Sequence, residues 1–120
     1  MGNAANFTVI RDAWTDDLTD GADFSISSSI DQDRRPVMTF MVKNQSGGDA
    51  TLAIRINGKK VWDWHYTQQA TRCYQEVLET DVLRPGDNRI NVEIDLTSDG
   101  DFDYAAFTLS DIVVWYRVNI

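Results

Sequence analysis

The sequence predicts an all-β fold, and three observations carry that prediction. First, short runs alternate apolar and polar residues. In Arg89 to Asp95, Ile90, Val92 and Ile94 point one way, while Asn91, Glu93 and Asp95 point the other, the period-two pattern of a half-buried strand. Second, such runs recur at roughly ten-residue spacing with turn chemistry between them. Third, sixteen of the nineteen acidic residues are Asp and only three are Glu. Aspartate suits turns, where its side chain bonds the nearby backbone, whereas glutamate is at home on surface helices. At 120 residues the chain is long enough for one domain with a real core. The domain is expected over 1–120, with its strand core over roughly 6–118.

In chain order, Phe7 to Arg11 is the first predicted strand. Asp12 to Ala22 follows with four aspartates, Trp14 and a turn at Gly21. Asp23 to Ile30 alternates, with Phe24, Ile26, Ser28 and Ile30 on one face and Ser25, Ser27 and Ser29 on the other. Val37 to Lys43 is apolar on both faces, as in a strand covered on two sides. Thr51 to Ile56 and Val61 to Tyr66 flank Asn57-Gly58, a strong hairpin signal because both residues accept positive φ. Gln68 to Thr80 fits either helical spacing or a strand; its β-rich surroundings favour a strand over Cys73 to Leu78. Leu83 to Asn88 is a tight turn, with Pro85 setting φ at the first central position and Gly86 taking the positive φ of a type II turn. Arg89 to Asp95 is the strand behind it. Tyr104 to Leu109 and Asp111 to Val118 close the chain. About eight short strands suggest a sandwich or a barrel.

Composition excludes several function classes. The net charge is −8, with only three lysines and eight arginines, scattered along the chain. Nucleic acid needs clustered cations, so it is not an expected partner. The single cysteine, Cys73, allows neither an intrachain disulfide nor a four-thiolate zinc site. No apolar run approaches the ~20 residues of a membrane span, and the N-terminus lacks the regions of a secretory signal. The chain is expected to be soluble, either cytoplasmic or exported and assembled by a non-Sec route. Asn6-Phe7-Thr8 and Asn44-Gln45-Ser46 fit the glycosylation pattern but are discounted without such a signal.

Three segments resemble the back half of jelly-roll β-sandwich modules: Ile56-Asn57-Gly58-Lys59-Lys60-Val61, Leu83-Arg84-Pro85-Gly86-Asp87-Asn88-Arg89-Ile90 and Leu109-Ser110-Asp111-Ile112-Val113-Val114. Carbohydrate-binding modules and galactose-binding-like domains are similar, as are small modules of phage tails and extracellular appendages. The resemblance covers residues 52–118 and rests on turn chemistry, which specifies fold far better than function. It implies a single antiparallel β-sandwich of jelly-roll type.

The candidate site is Val61-Trp62-Asp63-Trp64-His65-Tyr66. Trp62, Trp64 and Tyr66 share one face, and Asp63 and His65 share the other. Register decides what the aromatics do. A two-residue turn at Asn57-Gly58 pairs Ile54 with Val61 and puts the aromatics beside Arg55 and Thr51, outside the core. A three-residue loop with a bulge pairs Ile54 with Trp62 and Leu52 with Trp64, which buries the tryptophans. In the functional reading the aromatics form a platform for the C–H faces of a sugar, with Asp63, His65 and Arg55 bonding hydroxyls. In the plainer reading they are core aromatics. His65 is the only histidine, and no nucleophile beside it supports a hydrolytic triad.

Asp99, Asp101 and Asp103 flank a glycine on one loop, a pattern of oxygen ligands that suits Ca²⁺; a solvated acidic turn is the plainer alternative. Asp16, Asp17 and Asp20 form a second acidic cluster. Trp115 and Tyr116 lie on opposite faces of the last strand, so one of them falls outside the core unless a second layer or a second subunit covers it; with Val37 to Val42 apolar on both faces this hints at an oligomer interface, and normal sandwich packing is the plainer alternative. The function expected is a non-enzymatic, lectin-like carbohydrate-binding sandwich. The alternative is a self-assembling structural subunit, or one that decorates a tail, capsid or filament. The expected partners are a glycan or another protein, including further copies of the chain.

Overall fold

The computed structural model describes residues 2–15, 18–45, 49–96 and 107–120. Its eight strands are β1 (Asn3–Trp14), β2 (Ala22–Ile26), β3 (Val37–Asn44), β4 (Ala50–Ile56), β5 (Lys59–Tyr66), β6 (Ala70–Val77), β7 (Gly86–Leu96) and β8 (Phe107–Asn119). They form two antiparallel four-stranded sheets, ordered β1-β8-β3-β6 and β2-β7-β4-β5. Successive strands from β2 onward mostly alternate between the sheets, giving a jelly-roll sandwich. The inward positions predicted from alternation fill one core: Met38, Phe40 and Val42 from β3, Leu52, Ile54 and Ile56 from β4, and Ile90 and Val92 from β7.

Several boundaries differ from expectation for identifiable reasons. Strand β2 stops at Ile26 rather than Ile30. Ser27, Ser28 and Ser29 lie beyond the sheet, with Ser29 N–H bonding Ser27 Oγ, and Ile30 then bridges Val118 of the other sheet. Asp31 pins this crossover. It accepts from Asp33 N–H and from the Asn3 amide, and these bonds, the backbone one foremost, lower its pKa. The ambiguous segment is a strand that starts earlier than expected, at Ala70, and ends at Val77. The last two predicted pieces are one strand from Phe107 onward, with Tyr104 to Ala106 outside the described residues. The break in alternation that separates them is a bulge. Asp111 takes a φ of 51°, and the register with both neighbouring strands slips beside it. Leu109 and Ile112 are therefore both buried, Tyr116 faces the core, and Trp115 faces out.

The two glycine turns behave as predicted and are joined to each other. Asn57 and Gly58 have φ of 52° and 83°, and Gly86 has φ of 82°. Buried Asn88 donates to Arg84 O and Gly86 O and accepts from Arg84 N–H. Asn57 donates to Asn88 Oδ1 and to Val82 O, and its own Oδ1 accepts from Arg89 N–H. The polar groups of both turns are thus satisfied internally.

Candidate ligand-binding edge

The hairpin register combines features of both sequence alternatives. The turn has two residues and pairs Ile56 with Lys59. Val61 is then bulged out, so that Ile54 pairs with Trp62, Leu52 with Trp64 and Ala50 with Tyr66. The bulge adds one residue and turns the aromatic face inward, which explains its presence, since burying an aromatic far outweighs a local kink.

The six predicted ligand-binding residues therefore do not share a surface. Trp62 and Tyr66 are buried, at 7% and 2% exposure. Trp64, on the same face, is 47% exposed because β5 is the edge strand of its sheet. Asp63, His65 and Arg55 lie on the opposite, outer face. There Asp63 pairs with Lys60 at 2.9 Å, His65 Nδ1 bonds Thr51 Oγ1 at 2.9 Å, and Arg55 is ion-paired with Glu93. Asp99, Asp101, Asp103, Asp16 and Asp17 lie outside the described residues. Asp20 is exposed, and its carbonyl accepts from Arg89. Among the described residues no group of three or more His, Cys, Asp or Glu is placed to hold a metal ion.

What surrounds Trp64 comes from β6, the edge strand of the other sheet. In an antiparallel pair, directly opposed residues share a face. Arg72 opposes Val42, Tyr74 opposes Phe40 and Glu76 opposes Met38, and all three β3 residues are fully buried core residues. Arg72, Tyr74 and Glu76 thus project toward the inward face of β5. Tyr74 closes the gap between the sheets. Its ring stacks on Phe40 at 5.3 Å and packs at 4.8 Å from Trp62 and 6.3 Å from Trp64, and its hydroxyl lies 2.6 Å from that of Tyr66. Burial first, and the Tyr74 hydroxyl second, raise the pKa of Tyr66 above its usual value, so it stays a neutral phenol.

The result is an aromatic edge with a largely buried floor and a polar rim. Trp64 presents part of its ring to solvent, and its Nε1 has no hydrogen-bond partner among the described residues. Arg72 and Glu76 likewise have no hydrogen bond or ion pair among the described residues, unlike Arg35, Arg55, Arg89, Lys59 and Lys60. At the far end of β6, Lys43, Asn44, Gln45, Gln69, Ala70 and Thr71 line an open concavity of about 420 Å³. Sequence reasoning missed Tyr74, Arg72 and Glu76. Their signal was the alternation within β6, hidden because the same segment also fits helical spacing.

No protein-family model and no curated protein matches the chain. Solved structures do match. Dimeric latent PorU from Porphyromonas gingivalis superposes with a TM-score of 0.72 over 99% of this chain at 10% identity, and this chain spans only 13% of that one. The C-terminal domain of EclA, a sugar-binding protein, gives a TM-score of 0.56 at 8% identity, covering 95% of this chain and 79% of that one. The CBM36-1 domain of a multidomain xylanase from the hindgut metagenome of Trinervitermes trinervoides gives 0.47 at 9% identity, covering 98% of each. The shared feature is the fold. This chain is a jelly-roll β-sandwich. Among the described residues no helix is long and apolar enough to cross a membrane.

Proposed function

We propose that the chain is a non-catalytic carbohydrate-binding module whose site is the edge between β5 and β6. The observation that carries this reading is Trp64, a half-exposed indole packed on Tyr74, with Arg72 and Glu76, which have no side-chain hydrogen bond or ion pair among the described residues, on the same face of β6 as Tyr74. A sugar ring has an apolar C–H face for the indole and hydroxyls for a guanidinium, a carboxylate and the indole N–H. Trp62, Tyr66 and Tyr74 hold the platform in place without touching the ligand. The likeness to the sugar-binding EclA domain supports the reading at the level of fold. Binding rather than turnover is proposed because His65 and Asp63 are spread over the outer sheet face with their own partners.

The test is a broad glycan array probed with wild type, Trp64→Ala, Arg72→Ala and His65→Ala. Wild type should bind, and Trp64→Ala should lose at least about tenfold in affinity, roughly 1.4 kcal/mol, through lost stacking and burial. Arg72→Ala should weaken binding, and His65→Ala should leave it unchanged. Full binding by Trp64→Ala would overturn this site, and silence from folded wild type would overturn the carbohydrate reading.

A further inference from the structure

The end of β3 and the start of β6 meet in register: Lys43 opposes Thr71, and Asn44 opposes Ala70. With Gln45 and Gln69 these residues line the open concavity of about 420 Å³. Two bonds tie its walls together. Asn44 Nδ2 donates to Gln68 O at 3.0 Å, and Gln69 Nε2 donates to Gln45 O at 2.9 Å. The hollow is thus held in shape before anything enters it, and little affinity is lost in ordering it. The groups left over are polar. Lys43 Nζ, Thr71 Oγ1, Gln69 Oε1 and the Gln45 side-chain amide have no hydrogen-bond partner among the described residues. None of the lining residues is acidic or aromatic. Such a set can bond the hydroxyls at the edge of a sugar but has nothing to stack on its face.

The concavity lies in line with Trp64. Alternate residues of a strand share a face, so Tyr74, Arg72 and Ala70 follow one another along one side of β6, beside Phe40, Val42 and Asn44. At about 3.3 Å per residue, Ala70 lies about 13 Å from Tyr74, with Arg72 midway. The aromatic floor runs the same way. The Tyr74 hydroxyl meets that of Tyr66, the Tyr66 ring packs at 5.6 Å on Phe107, and Phe107 opposes Asn44. A pyranose built of single bonds of about 1.5 Å repeats about every 5 Å along a glycan, so Trp64 and the concavity are two to three sugar units apart. We propose that the edge takes an extended oligosaccharide of at least three units, one over Trp64, the next beside Arg72 and a further one with its hydroxyls in the concavity. This rests on the carbohydrate reading and names the ligand class of that site. A single sugar is too short to use both ends. The concavity, lacking a stacking surface, holds a free sugar weakly, but a unit linked to one already on Trp64 meets it at high effective concentration.

The experiment is a length series. Glucose-, xylose-, mannose- and galactose-based oligosaccharides of one to six units are titrated into wild type, Gln69→Ala, Thr71→Val and Trp64→Ala, read by tryptophan fluorescence and calorimetry. Circular dichroism checks that each is folded; Gln69 and Thr71 are both exposed, one in the loop before β6 and one within it, so one variant reports if the other misfolds. In the series that binds, wild-type affinity should rise at least about tenfold from one unit to four and then level off. Gln69→Ala and Thr71→Val should each bring that ratio below about threefold, and Trp64→Ala should weaken every length. A wild type that binds one unit as tightly as six overturns the extended track and leaves the chain a sugar binder. So does a gain with length that both folded variants keep in full. Binding to no series and to nothing on the glycan array is a different result, which overturns the carbohydrate reading itself.

Discussion

The two outer faces of this sandwich follow the same alternation and end in opposite chemistry. On the β2-β7-β4-β5 sheet, outward positions read Glu93–Ala53–Asp63 and Asp95–Thr51–His65 across neighbouring strands. Three ion pairs lie on that face, Arg55–Glu93, Lys60–Asp63 and Arg89–Asp23. The corresponding rows of the other sheet are Phe7–Trp115–Val37–Val77 and Val9–Val113–Thr39–Gln75. The first face is finished by water and its own charges. The second carries no charge in these two rows and six apolar side chains of eight. The difference teaches that alternation alone identifies an outward position but not the chemistry it will carry.

Three measurements sharpen the contrast, the largest effect coming from between the faces. Trp62→Ala removes an indole packed on Phe40 and Tyr74, and should cost about 3–5 kcal/mol in denaturant unfolding. Trp64→Ala, two residues along the same face but half exposed, should cost less than about 1.5 kcal/mol. Equal losses would mean that Trp64 is core and not platform.

The next effect is linked to pH. The phenol of Tyr66 has its pKa raised in the fold. Such a group contributes stability that is fully present below the unfolded value, near 10, and is lost as pH rises past it. Unfolding midpoints should therefore fall between about pH 9.5 and 11, and Tyr66→Phe should flatten that limb. Parallel pH profiles for the two proteins would remove Tyr66 as its source. The smallest effect is on the charged face. Arg55→Gln breaks an exposed ion pair with Glu93 and should cost no more than about 1 kcal/mol, less in high salt. A loss above 2 kcal/mol there would show that the charged face carries stability rather than solubility.

Much of the fold was legible because its signals are local. Asn57-Gly58 and Pro85-Gly86 announce their turns by the φ values those residues tolerate, and Ile90, Val92 and Ile94 announce a strand by spacing alone. The candidate site was legible only in part. Trp62, Trp64 and Tyr66 were visible as one face, but their partners were sought in Asp63, His65 and Arg55, which are neighbours in sequence or in the hairpin. In the proposed site the rim is Arg72 and Glu76, which share with Tyr74 one side of β6, a strand of the opposite sheet whose spacing also suits a helix.

From its sequence alone, then, this protein is an all-β chain of about eight strands with an acidic, aspartate-rich set of turns and an aromatic hairpin. Local propensity and period-two patterning suffice for that. Only the tertiary structure decided which aromatics face solvent. Two bulges, at Val61 and Asp111, each shift the alternation by one residue. The first sends Trp62 and Tyr66 inward; the second sends Tyr116 inward and Trp115 out. A bulge leaves little trace in composition, yet it reverses a whole strand face. Its position is set by the burial gained across strands distant in sequence, a quantity that does not exist until the sheets have formed.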